Sequence, residues 1–80
     1  MKFIIERVAS WKNKPCKNAV LKERKKIDFA GNYDIWEIEV NTVEELMAII
    51  EETGEPIILS RESYNYKDMP LIQIYDDYIE

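Results

Sequence analysis

The residues that could support chemistry in this chain are acids, tyrosines and one cysteine, because none of its 80 positions is histidine. Histidine is the usual general base, so neither a Ser-His nor a Cys-His nucleophile pair can form. Asp76 and Asp77 are tandem acids, but adjacent side chains on a strand point to opposite faces and cannot share one metal ion or proton. Two glycines are too few for a phosphate-binding loop. We therefore predict that the protein is not an enzyme and uses no cofactor or metal ion.

Cys16 is the only cysteine of the sequence and lies between Lys14 and Lys17. One cysteine without histidine provides neither a zinc site nor an internal disulfide, which is typical of a cytoplasmic protein. Neighbouring lysines would lower the pKa of the thiol and make it reactive, whereas burial would make it an inert packing residue, and we favour burial. The apolar run from Phe3 to Ile5 is too short for a signal peptide or a membrane span, so we expect no membrane contact.

Charge is distributed unevenly along the chain, although the net charge is −5. Positions 1–26 carry nine basic and two acidic residues, a net charge of +7, whereas positions 27–80 carry two basic and fourteen acidic residues, a net charge of −12. Such an asymmetry is a cue for an interaction surface. The competing interpretation is that the two parts neutralise each other across a sheet, or that the charges only keep the domain soluble.

The acidic part suggests a surface that binds another protein. Acids in the last turn of a helix oppose the helix dipole, so helix stability does not explain them. Tyrosines beside acids would suit a basic protein groove, and a narrower hypothesis is a nucleic-acid mimic that inhibits a nucleic-acid enzyme. The candidate partner-binding residues are Glu51, Glu52, Tyr75, Asp76, Asp77 and Tyr78.

The basic part supports an alternative function. An aromatic residue among lysines is a combination that binds single-stranded nucleic acid, and positions 7–26 contain it. The candidate nucleic-acid contacts are Trp11, Lys12, Lys14 and Lys17. A third hypothesis is a homo-oligomer, formed by oppositely charged parts of two copies or by exposed edge strands.

A helix over residues 42–53 positions the central acids. Thr42 and Glu45 have the spacing of a capping box at its start, and Gly54 followed by Pro56 marks its end. An apolar stripe with the spacing i, i+3, i+4, i+7 predicts the side that faces the core. The stripe consists of Val43, Leu46, Met47 and Ile50.

Strands are predicted on both sides of this helix. Residues 34–40 and 71–75 alternate between apolar and polar side chains, and residues 2–9 and 56–60 are rich in strand-forming residues. The resulting order β-β-β-α-β-β predicts one α+β domain over residues 1–80, with a small antiparallel or mixed sheet and one helix packed on one face. The other face is either solvated or in contact with a partner.

Residues 18–29 are the ambiguous segment, since helix propensity competes there with a strand. We favour a hairpin in which Gly31 and Asn32 form a two-residue turn. Opposite charges and apolar residues would then face each other across the two strands. The predicted pairs are Arg24 with Glu39, Lys26 with Glu37, and Ile27 with Trp36.

Three segments of the chain carry a resemblance. They are Phe3-Ile-Ile-Glu-Arg7 with Lys14-Pro-Cys16 and Ala19, Trp36-Glu-Ile-Glu-Val-Asn41 with Thr42-Val-Glu-Glu-Leu46 and Gly54-Glu55, and Pro70-Leu-Ile-Gln-Ile-Tyr-Asp-Asp-Tyr-Ile-Glu80. Together they resemble small uncharacterised proteins of gut Firmicutes and of their phages and mobile elements. The resemblance implies a bacterial, cytoplasmic, phage-associated accessory factor whose Tyr75–Tyr78 end matters for more than solubility. It implies no activity and no catalytic residues.

Overall fold

A computed structural model describes residues 1–9, 14–27 and 31–75 of the chain. These residues form five strands and one helix: β1 (Lys2–Ala9), β2 (Val20–Ile27), β3 (Gly31–Glu39), α1 (Val43–Thr53), β4 (Ile57–Ser60) and β5 (Leu71–Ile74). The strands make one sheet in the order β2-β3-β1-β5-β4, in which β1 pairs with β5 in parallel and the other neighbours are antiparallel. A mixed sheet with one helix confirms the predicted α+β class.

The two faces of the sheet follow from the alternation of side chains along β1 and β3. Ile5 lies opposite Trp36 and Phe3 lies opposite Ile38, and all four pack with α1 in one apolar cluster. We call this side the helix face. The intervening residues point the other way. On that side, the loop face, the apolar cluster is built on Ile4, Ile35 and Leu71.

The helix begins and ends where the sequence predicts. The Thr42 hydroxyl accepts a hydrogen bond from the Glu45 backbone N–H, and the Glu45 carboxylate accepts one from the Thr42 N–H, each over 3.2 Å. Gly54 has a φ of 74°, a left-handed conformation that favours glycine, and its N–H donates to the Ile50 carbonyl over 2.8 Å. The capping box and the glycine therefore define both helix ends.

The prediction of which side of the helix packs against the core is wrong for two of its four residues, Val43 and Met47. Val43 is 68% exposed and Met47 is 51% exposed, whereas Ile49 is buried and Leu46 packs against the same cluster. The set 46, 49, 50 and 53 has the same helical spacing as the set 43, 46, 47 and 50, so periodicity alone cannot choose between them. The packed set turns the Val43–Met47 side outward and leaves an apolar strip at the surface.

The predicted hairpin register is also wrong, although residues 20–27 form a strand. Gly31 is the first residue of β3 and lies opposite Ile27, so it does not form the turn with Asn32. The connection is residues 28–30, which lie outside the described residues. The structure pairs Arg24 with Asp34 in place of Glu39, Lys26 with Asn32 in place of Glu37, and Leu21, not Ile27, with Trp36. The register shifts between Leu21 and Glu23, whereas the prediction assumes one constant register along the whole hairpin.

The loop face is covered by the connection between β4 and β5. Tyr66 and Met69 of this connection pack against Ile4, Ile35 and Leu71. Ser63 is buried within it, its hydroxyl donating to the Tyr66 carbonyl over 2.6 Å. The loop face, which the sequence predicts to be solvated or in contact with a partner, is therefore partly covered by the protein's own β4–β5 connection. In the part of the chain that the structure describes, no helix has the length and apolar character needed to cross a membrane.

Candidate interaction surface along the helix

The outward side of α1 carries two acids and two apolar side chains. Glu44 and Glu51 are exposed and seven residues apart, so they lie in one row about 10 Å long. Neither carboxylate has an ion-pair partner among the described residues. The exposed Val43 and Met47 lie beside this row. We call these four residues the helix crest.

An apolar groove of about 270 Å³ runs beside the helix crest. Its walls include Val43 and Leu46 of the helix, and Phe3 and Val40 of the sheet side. Met1, which is largely exposed, lines the same groove. Val43 belongs to both the helix crest and the groove, so the exposed apolar side chains of the crest continue into the groove.

A second groove along α1 brings together residues of both predicted sites. This wider groove, of about 430 Å³, is lined by Lys17, Glu51 and Glu52 among others. The Lys17 backbone N–H donates to Glu52 Oε2 over 2.7 Å, and the Lys14 ammonium donates to the Lys17 carbonyl over 3.4 Å. Among the described candidates, the acidic Glu51 and Glu52 and the basic Lys14 and Lys17 therefore meet at the end of the helix.

Cys16 lies at the base of this wider groove and is buried in the core on the helix face. Burial, reinforced by the nearby Glu52 carboxylate, raises the pKa of the Cys16 thiol above its ordinary value. The opposing influences, which are backbone hydrogen bonds at Asn18 and Ala19 and the positive charge of Arg7, are outweighed, and the lysines expected to lower this pKa are not among them. The packed interpretation of Cys16 is the one that the structure supports.

The remaining predicted site residues are divided between the described and the undescribed parts of the chain. Tyr75 is exposed at the end of β5, where its N–H donates to the Pro56 carbonyl over 2.9 Å. The other predicted contacts lie outside the described residues. These are Trp11, Lys12, Asp76, Asp77 and Tyr78.

Charges of the basic and acidic parts pair within the sheet, as one interpretation of the sequence anticipates, but with different partners. Arg24 binds Asp34 through two hydrogen bonds of 2.7 and 2.8 Å, and Asp34 is 2% exposed. On the loop face, Lys22 and Lys2 approach Glu37 at 3.6 and 3.9 Å. Asp34 and Glu37 are therefore neutralised by basic residues of β1 and β2, whereas Glu44 and Glu51 have no ion-pair partner among the described residues.

Comparison with protein-family models finds no matching family, and comparisons with curated proteins and with solved structures find no match. The resemblance to proteins of gut Firmicutes and their phages therefore stays a prediction, and no residue role is transferred from another protein.

Sequence reasoning missed a polar network on the loop face. The Glu6 carboxylate accepts hydrogen bonds from the Tyr33 hydroxyl at 2.9 Å and from the Asn65 side-chain amide at 2.6 Å. Burial and the hydrogen bond to Glu6 raise the pKa of Tyr33, and the 2.6 Å hydrogen bond to Glu23 raises the pKa of Tyr66. The available signal was an acid directly after Ile4 and Ile5 in a central strand.

Among the described residues, no group of three or more cysteines and acids is arranged to hold a metal ion. The oxygens of Glu6 are already hydrogen-bonded by the protein's own donors. Glu44 and Glu51 of the helix crest, in contrast, have no ion-pair partner among the described residues.

Proposed function

We propose that the protein is a non-catalytic interaction module that binds another protein through the helix crest. The observation that carries this proposal is the rotation of α1, which buries Ile49 and leaves Val43 and Met47 exposed. They lie beside two carboxylates that have no ion-pair partner in the described part of the chain. An exposed apolar strip costs free energy in water, so its presence in a small domain is best explained by a partner that covers it.

The composition of the crest indicates the chemistry of that partner. Val43 and Met47 favour apolar side chains, and methionine adapts to differently shaped partners. Glu44 and Glu51 favour lysine or arginine on either side of those apolar contacts. A partner segment with alternating apolar and basic residues therefore fits this surface. The single cysteine, Cys16, is a free thiol, which favours a reducing, cytoplasmic setting.

Inhibition of a nucleic-acid enzyme is a narrower form of the same proposal, in keeping with a phage-associated accessory role. A row of carboxylates can occupy a basic groove, and its binding would weaken as salt increases. The apolar residues beside Glu44 and Glu51 favour an ordinary protein contact over pure phosphate mimicry, because phosphates offer no apolar surface.

The test is a quantitative co-purification from the source cells with the variant Met47→Asp combined with Glu44→Gln and Glu51→Gln. All three side chains are exposed, so the variant should retain the fold, which circular dichroism verifies. The matched control is Glu62→Gln, an exposed acid on the β4–β5 connection. Partners captured by the wild type and the control but lost with the triple variant are the expected result.

An unchanged set of captured partners would refute the role of the helix crest. Binding of mixed oligonucleotides at low salt, lost with Lys14→Gln and Lys17→Gln, would instead support the nucleic-acid alternative. That alternative has less support, because Glu51 and Glu52 line the same groove as Lys17 and would repel phosphates.

A further inference from the structure

The two edge strands of the sheet differ in how they are protected. β2 carries Lys22 and Arg24 with further lysines, and charged side chains on an edge discourage pairing with another chain. β4 is the other edge and contains no charged residue between Ile57 and Ser60. Ile58 is 44% exposed and Leu59 is 49% exposed. β4 is therefore an unguarded edge with apolar side chains on both faces.

The pairing of β4 with β5 determines which backbone groups face outward. Pro56 accepts its hydrogen bond from Tyr75 on the β5 side, and the register pairs Ile58 with Gln73. Backbone groups alternate in direction along an antiparallel strand, so residues 56, 58 and 60 bond to β5. The N–H and C=O groups of Ile57 and Leu59 point to the free edge. The backbone groups of position 56 face β5. The N–H that Pro56 lacks would therefore point to β5, and its absence removes no donor from the free edge.

We propose that β4 pairs with β4 of a second copy of this chain, antiparallel and symmetric about Ile58. In this register Ile57 lies opposite Leu59 of the second copy, and both have outward backbone groups that exchange hydrogen bonds. Ile58 lies opposite its own counterpart on the loop face. A two-fold axis at Ile58 makes the contact self-complementary, as a symmetric dimer requires.

Charge complementarity favours a second copy over a different strand. The same register places Glu55, just before β4, opposite Arg61 of the second copy, just after β4, and the two-fold axis repeats this pair. Neither residue has an ion-pair partner among the described residues. A shift of the axis by one residue places Arg61 opposite the apolar Ile57 and loses the match. The symmetric register about Ile58 therefore pairs every exposed apolar residue of β4 and both flanking charges.

The proposal does not depend on the helix crest, because β4 and α1 present different side chains. Four residues make a short strand, and the contact area is small, so the dimer should be reversible and concentration-dependent. Sedimentation velocity from micromolar to millimolar protein is the measurement. We expect a monomer–dimer equilibrium in the wild type.

The decisive variants exploit the symmetry. Ile58→Lys places two lysines opposite each other and should raise the dimer dissociation constant about tenfold or more. The matched control is Val20→Lys on the opposite edge, where the side chain is also exposed to solvent (65% against 44% for Ile58), and it should leave dimerisation unchanged. Glu55→Arg alone and Arg61→Glu alone should each weaken the dimer, and the double charge swap should restore it.

If Ile58→Lys does not fold, recovery of the dimer in the double variant Glu55→Arg, Arg61→Glu still tests the register. A wild type that stays monomeric at millimolar concentration would overturn the proposal. A dimer that resists Ile58→Lys and both single charge reversals would overturn it as well. Loss of the dimer with the helix-crest variant, with β4 intact, would move the contact to α1 and likewise refute β4 pairing.

Discussion

Glu6 and Asn65 lie 59 positions apart in the chain and are joined by two hydrogen bonds. The Asn65 backbone N–H donates to Glu6 Oε2 over 3.0 Å, and its side-chain amide donates to Oε1 over 2.6 Å. Lys25 in turn donates to the Asn65 side-chain oxygen over 2.9 Å. This relationship ties the β4–β5 connection to the central strand and to β2. Glu6, in the middle of the sheet, thus anchors the β4–β5 connection that covers the loop face.

Glu6→Ala should lower the free energy of unfolding by about 1–3 kcal/mol, because it leaves the partly buried Tyr33 hydroxyl and the Asn65 amides without their acceptor. Glu6 is 8% exposed, so water does not fully replace the lost partner. Urea denaturation of the two proteins measures the difference. Glu62→Ala, an exposed acid 3.9 Å from Lys67, is the control and should cost less than about 1 kcal/mol. Equal losses in both variants would show that Glu6 is not the anchor.

Stability should fall at alkaline pH partly through Tyr33. The pKa of Tyr33 is raised in the folded protein because burial and the Glu6 carboxylate both favour the neutral phenol. The unfolded chain releases this proton near pH 10, so the contribution is complete below about pH 10 and is lost as pH rises from there through the folded pKa. Tyr33→Phe removes this dependence. Urea midpoints between neutral pH and pH 11 should therefore decline less steeply in Tyr33→Phe than in the wild type, and equal slopes would contradict the assignment.

The Arg24–Asp34 pair tests the register of the hairpin. Arg24→Met removes both hydrogen bonds from a buried carboxylate and should cost about 1–3 kcal/mol of unfolding free energy. Arg24→Lys keeps the charge but loses the two-point geometry, so it should be intermediate. Lys26→Met on the same strand is exposed and without an ion-pair partner in the described part of the chain, so it should cost less than about 0.5 kcal/mol. A larger effect of Lys26 would favour the register predicted from the sequence.

Local signals predicted local structure well in this chain. The capping residue Thr42 and the left-handed Gly54 mark the helix ends through chemistry that involves only their neighbours, and alternation marks β3. The hairpin register failed because it depends on a connection of unknown length and on an irregularity between Leu21 and Glu23. The expectation that basic residues of β2 lie opposite acids of β3 is correct, but β3 carries several acids, so charge alone does not select Asp34 as the partner of Arg24.

The candidate site was harder to predict than the fold, because it depends on the rotation of the helix. Glu51 and Glu52 were correctly recognised as unusual for the end of a helix, yet Glu52 accepts a hydrogen bond from the Lys17 backbone. Glu44 is not among the predicted contacts, and an acid in the first turn is typical of a helix and gives no signal for a partner. The exposure of Met47 follows from tertiary packing, which no periodicity in a short helix specifies.

The orientation of α1 can be tested by a pair of truncations. Ile49→Ala should lower the unfolding free energy by about 2–5 kcal/mol, because the side chain is buried in the cluster on the helix face and its removal leaves a cavity. Met47→Ala removes a largely exposed side chain and should cost less than about 0.5 kcal/mol. Both changes introduce alanine, the best helix former, so helix propensity does not account for the difference. Guanidinium denaturation followed by tryptophan fluorescence provides the comparison. A larger loss with Met47→Ala would mean that the Val43–Met47 side faces the core, and the surface on which the proposed interaction rests would then not exist.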